Sequence, residues 1–400
     1  MVGPARFVQR HFANVTDPRV DRGHNHDLLE MVFMALTATI CGADGWVDVE
    51  RFAKSKWDWF RQYLELPHGV PSHDTFGRVF ARLDTGEFLT AMHQWVDQFA
   101  GSLRDRGIAI DGKQVRTPTG EGGESCGRGR RHGSFDRAAD QSPLHTITAF
   151  ATDTRLVLRQ LSMDEKSNEI PAVPVLLKLL ELEGAIVTLD AMHTQVETAR
   201  AIVKSQADYV MTVKQNQPQL YQRLSELFEQ YAQQDYQVKG LRKQISKPQR
   251  SHDRIEQRSC YVIGVPKGDK VLSRWPSLRS IGLLYRHSTS TDKQGEARET
   301  HDVAFFISSL PPRVRRLNQL LRDHWSIENS EHYVLDVVFT EDASRIRTGS
   351  APEVAAAFRR LSLNILRQDT TLKENIRGKR LRAGWDETIL DGIYTAFQAA

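Results

Sequence analysis

The sequence predicts an α/β protein: a mixed sheet flanked by helices, preceded by a helical domain and interrupted by a β-rich insertion. Three observations carry that expectation. Apolar residues recur at helical spacing through the first hundred positions, the period changes near residue 106, and from there strands alternate with helices.

In the first hundred residues, Trp46, Val49, Phe52, Ala53, Trp57, Phe60 and Leu64 fall on one helical stripe, and Phe88, Met92, Trp95, Phe99 and Leu103 on another. Between them Pro71-Ser72-His73-Asp74 reads as a helix start, with Ser72 as N-cap and Asp74 in the first turn. Phe76, Val79, Phe80 and Leu83 form its apolar face, leaving Arg78 and Arg82 off it. A helix-turn-helix-like DNA-binding element and a plain helical bundle both fit this region.

From residue 106 the pattern becomes strand-like. Gly107 to Asp111 is an apolar strand ending on a carboxylate. A hairpin follows, His145 to Thr152 and Arg155 to Leu161, turning at Asp153-Thr154. A helix is expected through Val175 to Leu182, then the strand Ala185 to Asp190, a helix from Val196 to Val203, a strand from Asp208 to Lys214, and a helix from Pro218 to about Tyr231. Strands at Arg258–Val265, Arg279–Tyr285 and Asp302–Ser308 make residues 240–310 the β-rich insertion. Pro311-Pro312 closes it and helix resumes. The expected divisions are 1–105 (helical, with possible DNA-binding), 106–239 (first part of the core), 240–310 (insertion) and 311–400 (second part of the core with a basic tail). The Gly- and Arg-rich stretch from Thr117 to Ser134 reads as a mobile loop beside the Asp111 strand.

Four hundred residues exceed one ordinary core, so two or three domains are expected. A formal net charge of +4 is only a mild basic bias. Cys41, Cys126 and Cys260 are odd in number and widely spaced, which argues against a disulfide framework or a structural zinc site. The start lacks a signal peptide's apolar core, and the run from Leu28 to Cys41 is interrupted by Glu30 and too short to span a bilayer. A soluble, cytoplasmic protein is the expectation.

The chemistry is expected at three carboxylates. Asp111 and Asp190 each end an apolar strand, and Glu328 sits on a helix in His324-Trp-Ser-Ile-Glu328-Asn329. Strand ends place charge at the sheet's carboxyl edge, where open α/β sheets put their sites. Three such charges repel one another unless cations neutralise them, and hard oxygen donors suit Mg²⁺ or Mn²⁺. A three-strand meander with Asp on its first strand, Asp on the next parallel strand and Glu on a later helix is the layout of the ribonuclease H-like fold. Two metals held there would serve the attacking and leaving oxygens of phosphoryl transfer on nucleic acid. Taken singly, each acid has a plain alternative: an Asp-Gly turn, an N-cap, or a solvated helix charge.

Glu328 is preferred to Glu331, Asp336, Glu341 and Asp342 because His324, Glu328 and His332 are four apart and share one face of a regular helix. That face also invites a zinc reading, but no His-Glu-x-x-His motif is present. His324 and His332 read as phosphate contacts or as groups that hold the glutamate, and His193 as a substrate contact or merely a polar residue in the first helical turn. Between Glu341 and Arg382 ten cations face five carboxylates, a larger excess than that of the whole chain. Arg345 and Arg347 follow the glutamate helix closely, and Arg128, Arg130 and Arg131 lie in the glycine-rich loop. Such cations suit salt-dependent contacts to a DNA backbone, while a solvated helix face is the better account of Lys373 to Arg382.

Several stretches resemble the insertion-sequence transposases with an Asp-Asp-Glu site, of the H-repeat-associated group. They are Pro71–Phe76, Asp111-Gly-Lys-Gln114, Asp164–Pro171, Asp190-Ala-Met-His193, Lys214–Gln217, His324–Asn329 and Leu335–Asp342. The resemblance spans about residues 10–370. It implies a ribonuclease H-like core, divalent metal, and cutting and joining of double-stranded DNA at terminal inverted repeats and a target, by a dimer on DNA. By position, Asp111, Asp190 and Glu328 are the catalytic acids and metal ligands, and Trp275 in the insertion is a candidate to hold a flipped base. Broader relatives carry Tyr, Arg and Lys around the glutamate where this chain has Leu321, His324 and Leu335. The alternatives are a metal-dependent nuclease that does not join, and a host-adopted DNA-binding regulator.

Overall fold

The computed structural model describes residues 3–20, 25–114, 144–163, 169–251, 254–291 and 297–399. Arg128, Arg130 and Arg131, the rest of the glycine-rich stretch and residues 164–168 lie outside these described residues.

The N-terminal region is helical throughout: α1 (Ala5–Phe12), α2 (Leu28–Ile40), α3 (Trp46–Ser55), α4 (Trp57–Phe60), α5 (His73–Phe80) and α6 (Thr85–Ala100). The single stripe expected from Trp46 to Leu64 is split between α3 and α4, which meet at Lys56. Ser72 caps α5, its hydroxyl accepting from the Thr75 amide, and Phe76, Val79, Phe80 and Leu83 are buried while Arg78 and Arg82 are exposed. The apolar run from Leu28 is α2, buried on nearly every side as an all-round apolar core helix is. Buried Glu30 accepts from the Glu65 and Leu66 amides, which satisfies its carboxylate. Among the described residues, no helix is long and apolar enough to cross a membrane.

The sheet follows: β1 (Gly107–Gln114), β2 (His145–Ala151), β3 (Leu156–Met163), α7 (Glu169–Leu177), β4 (Ile186–Leu189), α8 (Val196–Lys204), β5 (Asp208–Val213) and α9 (Pro218–Ala232). β6 (Arg242–Ile245), β7 (Gln249–Ser251), β8 (Arg254–Gly264), β9 (Ser280–Thr291) and β10 (Ala297–Ser308) come next. The strand order is β3-β2-β1-β4-β5-β10-β9-β8-β6. β1 to β3 form an antiparallel meander, and β1, β4 and β5 run parallel. This is the ribonuclease H-like arrangement that the order of acids implies.

The segment 240–310 is no separate layer. β10 pairs antiparallel with β5, Phe305 opposite Val213, so its strands extend the same sheet. Residues 297–304 of β10 therefore run past the carboxyl edge of β5. The β9–β10 hairpin is an arm that overhangs that edge.

The chain ends in α10 (Val314–His324), a π-helical turn (Glu328–His332), α11 (Tyr333–Val337), α12 (Ala351–Gln368), α13 (Ile376–Trp385) and α14 (Glu387–Ala399). Long, buried α12 packs against α2 and α6 on one side and β3 on the other. The N-terminal helices and the C-terminal ones thus share one core.

Candidate active site at the carboxyl edge of the sheet

β1 and β4 are parallel, with Ile110 opposite Leu189, so the next residue of each, Asp111 and Asp190, emerges at the same edge. Asp111 is partly buried, and the Gly112 amide donates to its Oδ1 at 2.9 Å. Burial, then the charge of Asp190, pushes the Asp111 carboxyl up to about 7, and the charges of Glu328 and Glu331 add to the effect. The charges of the helix-borne acids thus reach Asp111. Asp190 is fixed by its surroundings: the His193 amide donates to Oδ1 at 3.4 Å, and the Thr194 hydroxyl contacts the Asp190 and Thr212 carbonyls.

The trio is open. Asp111, Asp190 and Glu328 do not bring ligand oxygens all within 4.8 Å of one another, whereas another trio among the described residues does, on the arm.

The expected shared face of His324, Glu328 and His332 is broken, because Glu328–His332 is a π turn whose extra residue re-registers the helix. His324 is buried and its Nδ1 lies 3.0 Å from the Thr188 hydroxyl. Burial lowers it to about 4, so it is neutral near pH 7. His332 lies beside Asp111, 3.8 Å from Nδ1 to Oδ2. Glu328 itself is exposed.

The rival acids have other occupations. Glu331 is fully buried against Arg360. Asp336, Glu341 and Asp342 surround buried Lys113, with Glu341 at 3.5 Å and Asp342 at 3.4 Å.

Three expected nucleic-acid contacts are placed differently. His193 is 0% exposed, and its ring faces Glu169, 3.6 Å from Nε2 to Oε2. Buried His324 is likewise turned to the sheet, toward Thr188 on β4. Trp275 is 5% exposed and part of the main core, so no base can stack on it while it stays there. Arg345 is exposed and Arg347 half-buried. Much of the C-terminal cationic excess is internal. Arg359, Arg360, Lys379 and Arg380 are buried, Arg380 lies 4.1 Å over the Phe339 ring, and Arg367 donates to the Arg155 and Ser330 carbonyls.

Glu169 is the site residue that sequence reasoning passed over, although it lies in the Asp164–Pro171 stretch. A Cβ placed on Gly112 would sit 2.4 Å from Glu169 Oε2, so the carboxylate lies directly over the residue after Asp111. That oxygen is buried without a hydrogen-bond partner, as are both His193 ring nitrogens and His332 Nε2. Hard carboxylate oxygens crowded at one edge, with unsatisfied polar atoms around them, are a donor set that fits divalent cations.

Leu321 and Leu335, at the positions where broader relatives carry Tyr and Lys, are core residues at 6% and 0% exposure.

Comparison with known proteins gives the family. A family described as DDE_Tnp_1-associated matches residues 9–96, and one described as Transposase DDE domain matches residues 102–365. "Putative transposase YncI" of Escherichia coli O157:H7 is 31% identical over 95% of this chain and 92% of its own length. "H repeat-associated putative transposase YhhI" of Escherichia coli (strain K12) is 31% identical over 96% and 97%. A solved piggyBac transposase synaptic complex with hairpin DNA aligns with a TM-score of 0.43 at 10% identity, covering all of this chain and 80% of that one. The chain belongs to the DDE-domain transposases, in the company of the H repeat-associated group, and is an enzyme of DNA cleavage and transfer.

Proposed function

We propose that Asp111, Asp190 and Glu328 are the catalytic carboxylates of this transposase, cutting the ends of a bacterial insertion sequence and joining them to target DNA. The observation that carries this reading is that Asp111 and Asp190 emerge side by side at the carboxyl edge of parallel β1 and β4, with the charges of Asp190 and Glu328 both raising the Asp111 carboxyl. Mg²⁺ or Mn²⁺, two ions per site, fits the oxygen donors, and would supply charge neutralisation at the attacking and leaving oxygens of the phosphodiester.

The chain's own residues do the positioning. Asp111 and Asp190 are fixed by strand ends and local amides, Glu328 comes from the π turn, and Glu169 braces the Asp111-Gly112 peptide region from above. His332, lowered by burial, stands beside Asp111 as a neutral group. Exposed Arg345 supports backbone contact to double-stranded DNA, and joining two ends calls for a dimer on DNA.

The test is incubation with candidate terminal inverted repeats and Mg²⁺ or Mn²⁺, with the cut strand mapped, followed by a pre-cleaved end with a supercoiled target. Cleavage and joined product are expected from the native chain, with Asp111→Asn inactive yet still binding the ends. Cleavage without joining would make it a nuclease. Salt-sensitive binding with no cutting on any substrate would make it a DNA-binding regulator. Cleavage retained in Asp111→Asn would remove that acid from the site.

A further inference from the structure

We propose that the overhanging arm carries a second metal site, of the Zn²⁺ class, built from His287, Glu299 and His301. The three residues share one face of the β9–β10 hairpin by construction. His287 pairs directly with His301 across the strands, and Glu299 is two residues before His301 on β10. Their ligand atoms all lie within 4.8 Å of one another. Glu299 Oε2 is 3.5 Å from His287 Nε2 and 3.9 Å from His301 Nε2. A tetrahedral zinc with bonds of about 2.0–2.2 Å holds neighbouring donors about 3.3–3.6 Å apart, so the Glu299–His287 spacing already fits and the Glu299–His301 spacing has to close by a few tenths of an ångström.

Hydrogen bonding favours a cation over a plain His–Glu pair. His301 Nδ1 is taken by the Tyr285 hydroxyl at 2.6 Å. When that nitrogen donates to the Tyr285 oxygen, Nε2 presents a lone pair toward Glu299. His287 Nε2 is buried and has no hydrogen-bond partner, although it too faces Glu299. The two imidazoles are stacked at 4.8 Å and 6°. Two imidazolium ions in that arrangement would repel, and a rotation of one ring about its χ2 brings both in-plane Nε2 lone pairs onto one ion. Two nitrogens and one carboxylate oxygen leave a fourth position for water, and Tyr285 supplies the outer hydrogen bond that zinc-binding histidines usually have.

The consequence is mechanical. Residue 301 lies four positions beyond the last β5 partner, roughly 13 Å past the sheet's carboxyl edge at the rise of a strand. An ion there would cross-link β9 and β10 beyond the end of β5, where β10 has lost its β5 partner while β9 stays paired with β8. This inference does not depend on the roles assigned to Asp111, Asp190 and Glu328.

The experiment uses the full chain, stripped of metal by chelator and titrated with Co²⁺ and then Zn²⁺ in excess Mg²⁺. One equivalent is expected to bind, with the visible bands of four-coordinate Co²⁺ bleached by Zn²⁺. Zn²⁺ affinity should fall about 100-fold or more in His287→Ala and His301→Ala, and about 10–100-fold in Tyr285→Phe. It should be unchanged in Asp111→Asn. Hydrogen exchange of the β9 and β10 amides should slow when Zn²⁺ binds the native chain. Far-UV circular dichroism confirms that the arm variants fold, and Glu299→Gln gives a milder change at the same place. Equal Zn²⁺ stoichiometry and affinity in the native and His287→Ala/His301→Ala proteins would overturn the proposal. So would loss of the Co²⁺ bands in Asp111→Asn alone.

Discussion

Arg360 lies buried between Glu331 and Glu341, its guanidinium 3.0 Å from a carboxylate oxygen of each. A third branch reaches the Thr146 hydroxyl on β2 at 3.2 Å. Glu331 is three residues beyond Glu328 on the π turn, so this cation ties the turn carrying Glu328 to α12 and to the sheet. Replacing one member of a buried pair leaves the others charged and unsolvated. Arg360→Met should therefore destabilise the protein by about 3–5 kcal/mol, read from the midpoint of denaturant unfolding at unchanged slope. A change of less than about 1 kcal/mol would mean that the two glutamates are not held as ions.

The same network sets a pH dependence. Burial pushes the Glu341 carboxyl up, but Arg360, Arg359 and Lys113 outweigh it and hold the group below the usual value of 4.5. A native acid with a depressed pKa binds fewer protons than the unfolded chain does. Its contribution is thus complete above about pH 4.5 and is lost as pH falls through the native value. Unfolding curves taken downward from about pH 5 should show a shallower loss of stability in Glu341→Gln than in the native protein. Parallel curves would remove Glu341 from the acid response.

Glu328 and Glu331 should separate by phenotype. Glu328 is exposed and Glu331 is 0% exposed against Arg360. Glu328→Gln should abolish end cleavage while moving stability by no more than about 0.5 kcal/mol, as exposed substitutions do. Glu331→Gln should lower stability by about 1–3 kcal/mol, from loss of a charged hydrogen bond in the core. The reverse pairing would exchange the roles proposed for the two acids.

These contrasts mark how much the sequence could reveal. Asp111 and Asp190 were legible because strand periodicity names both the strand and the residue at its end. The hairpin turn at Asp153-Thr154 was legible for the same reason. Partnership was not: nothing in the β10 pattern says that it pairs with β5, so the arm read as a separate insertion. Nor does a charge count distinguish a cation in solvent from one in the core, which is why Arg360 and Lys379 counted toward a DNA-facing excess. The π turn escapes periodicity because one extra residue shifts a register without changing composition. The helix expected through Leu182 ends at Leu177, a shift toward the N-terminus that leaves Pro171 in an early turn and Pro174 inside the helix.

Glu169 gives the last test, because its place is defined by the absence of a side chain. With Gly112 lacking a Cβ, Glu169 Oε2 occupies the space where one would be, 2.4 Å from the ideal position. Gly112→Ala must then displace either the Asp111 strand or the Glu169 carboxylate. The strand is paired with β2 at Gly112 itself and with β4 as far as Ile110, and the carboxylate is the end of a flexible side chain, so the carboxylate should move. Folding should change little, by about 1–2 kcal/mol at most. End cleavage should fall at least about tenfold, since about 1.4 kcal/mol of lost positioning suffices for that. Shortening the acid in Gly112→Ala/Glu169→Asp makes room for the methyl and should recover part of the rate, although Glu169→Asp alone should slow the enzyme. Rates of the two single variants that simply multiply in the double variant would show that Glu169 and the Asp111 strand are not coupled through this contact.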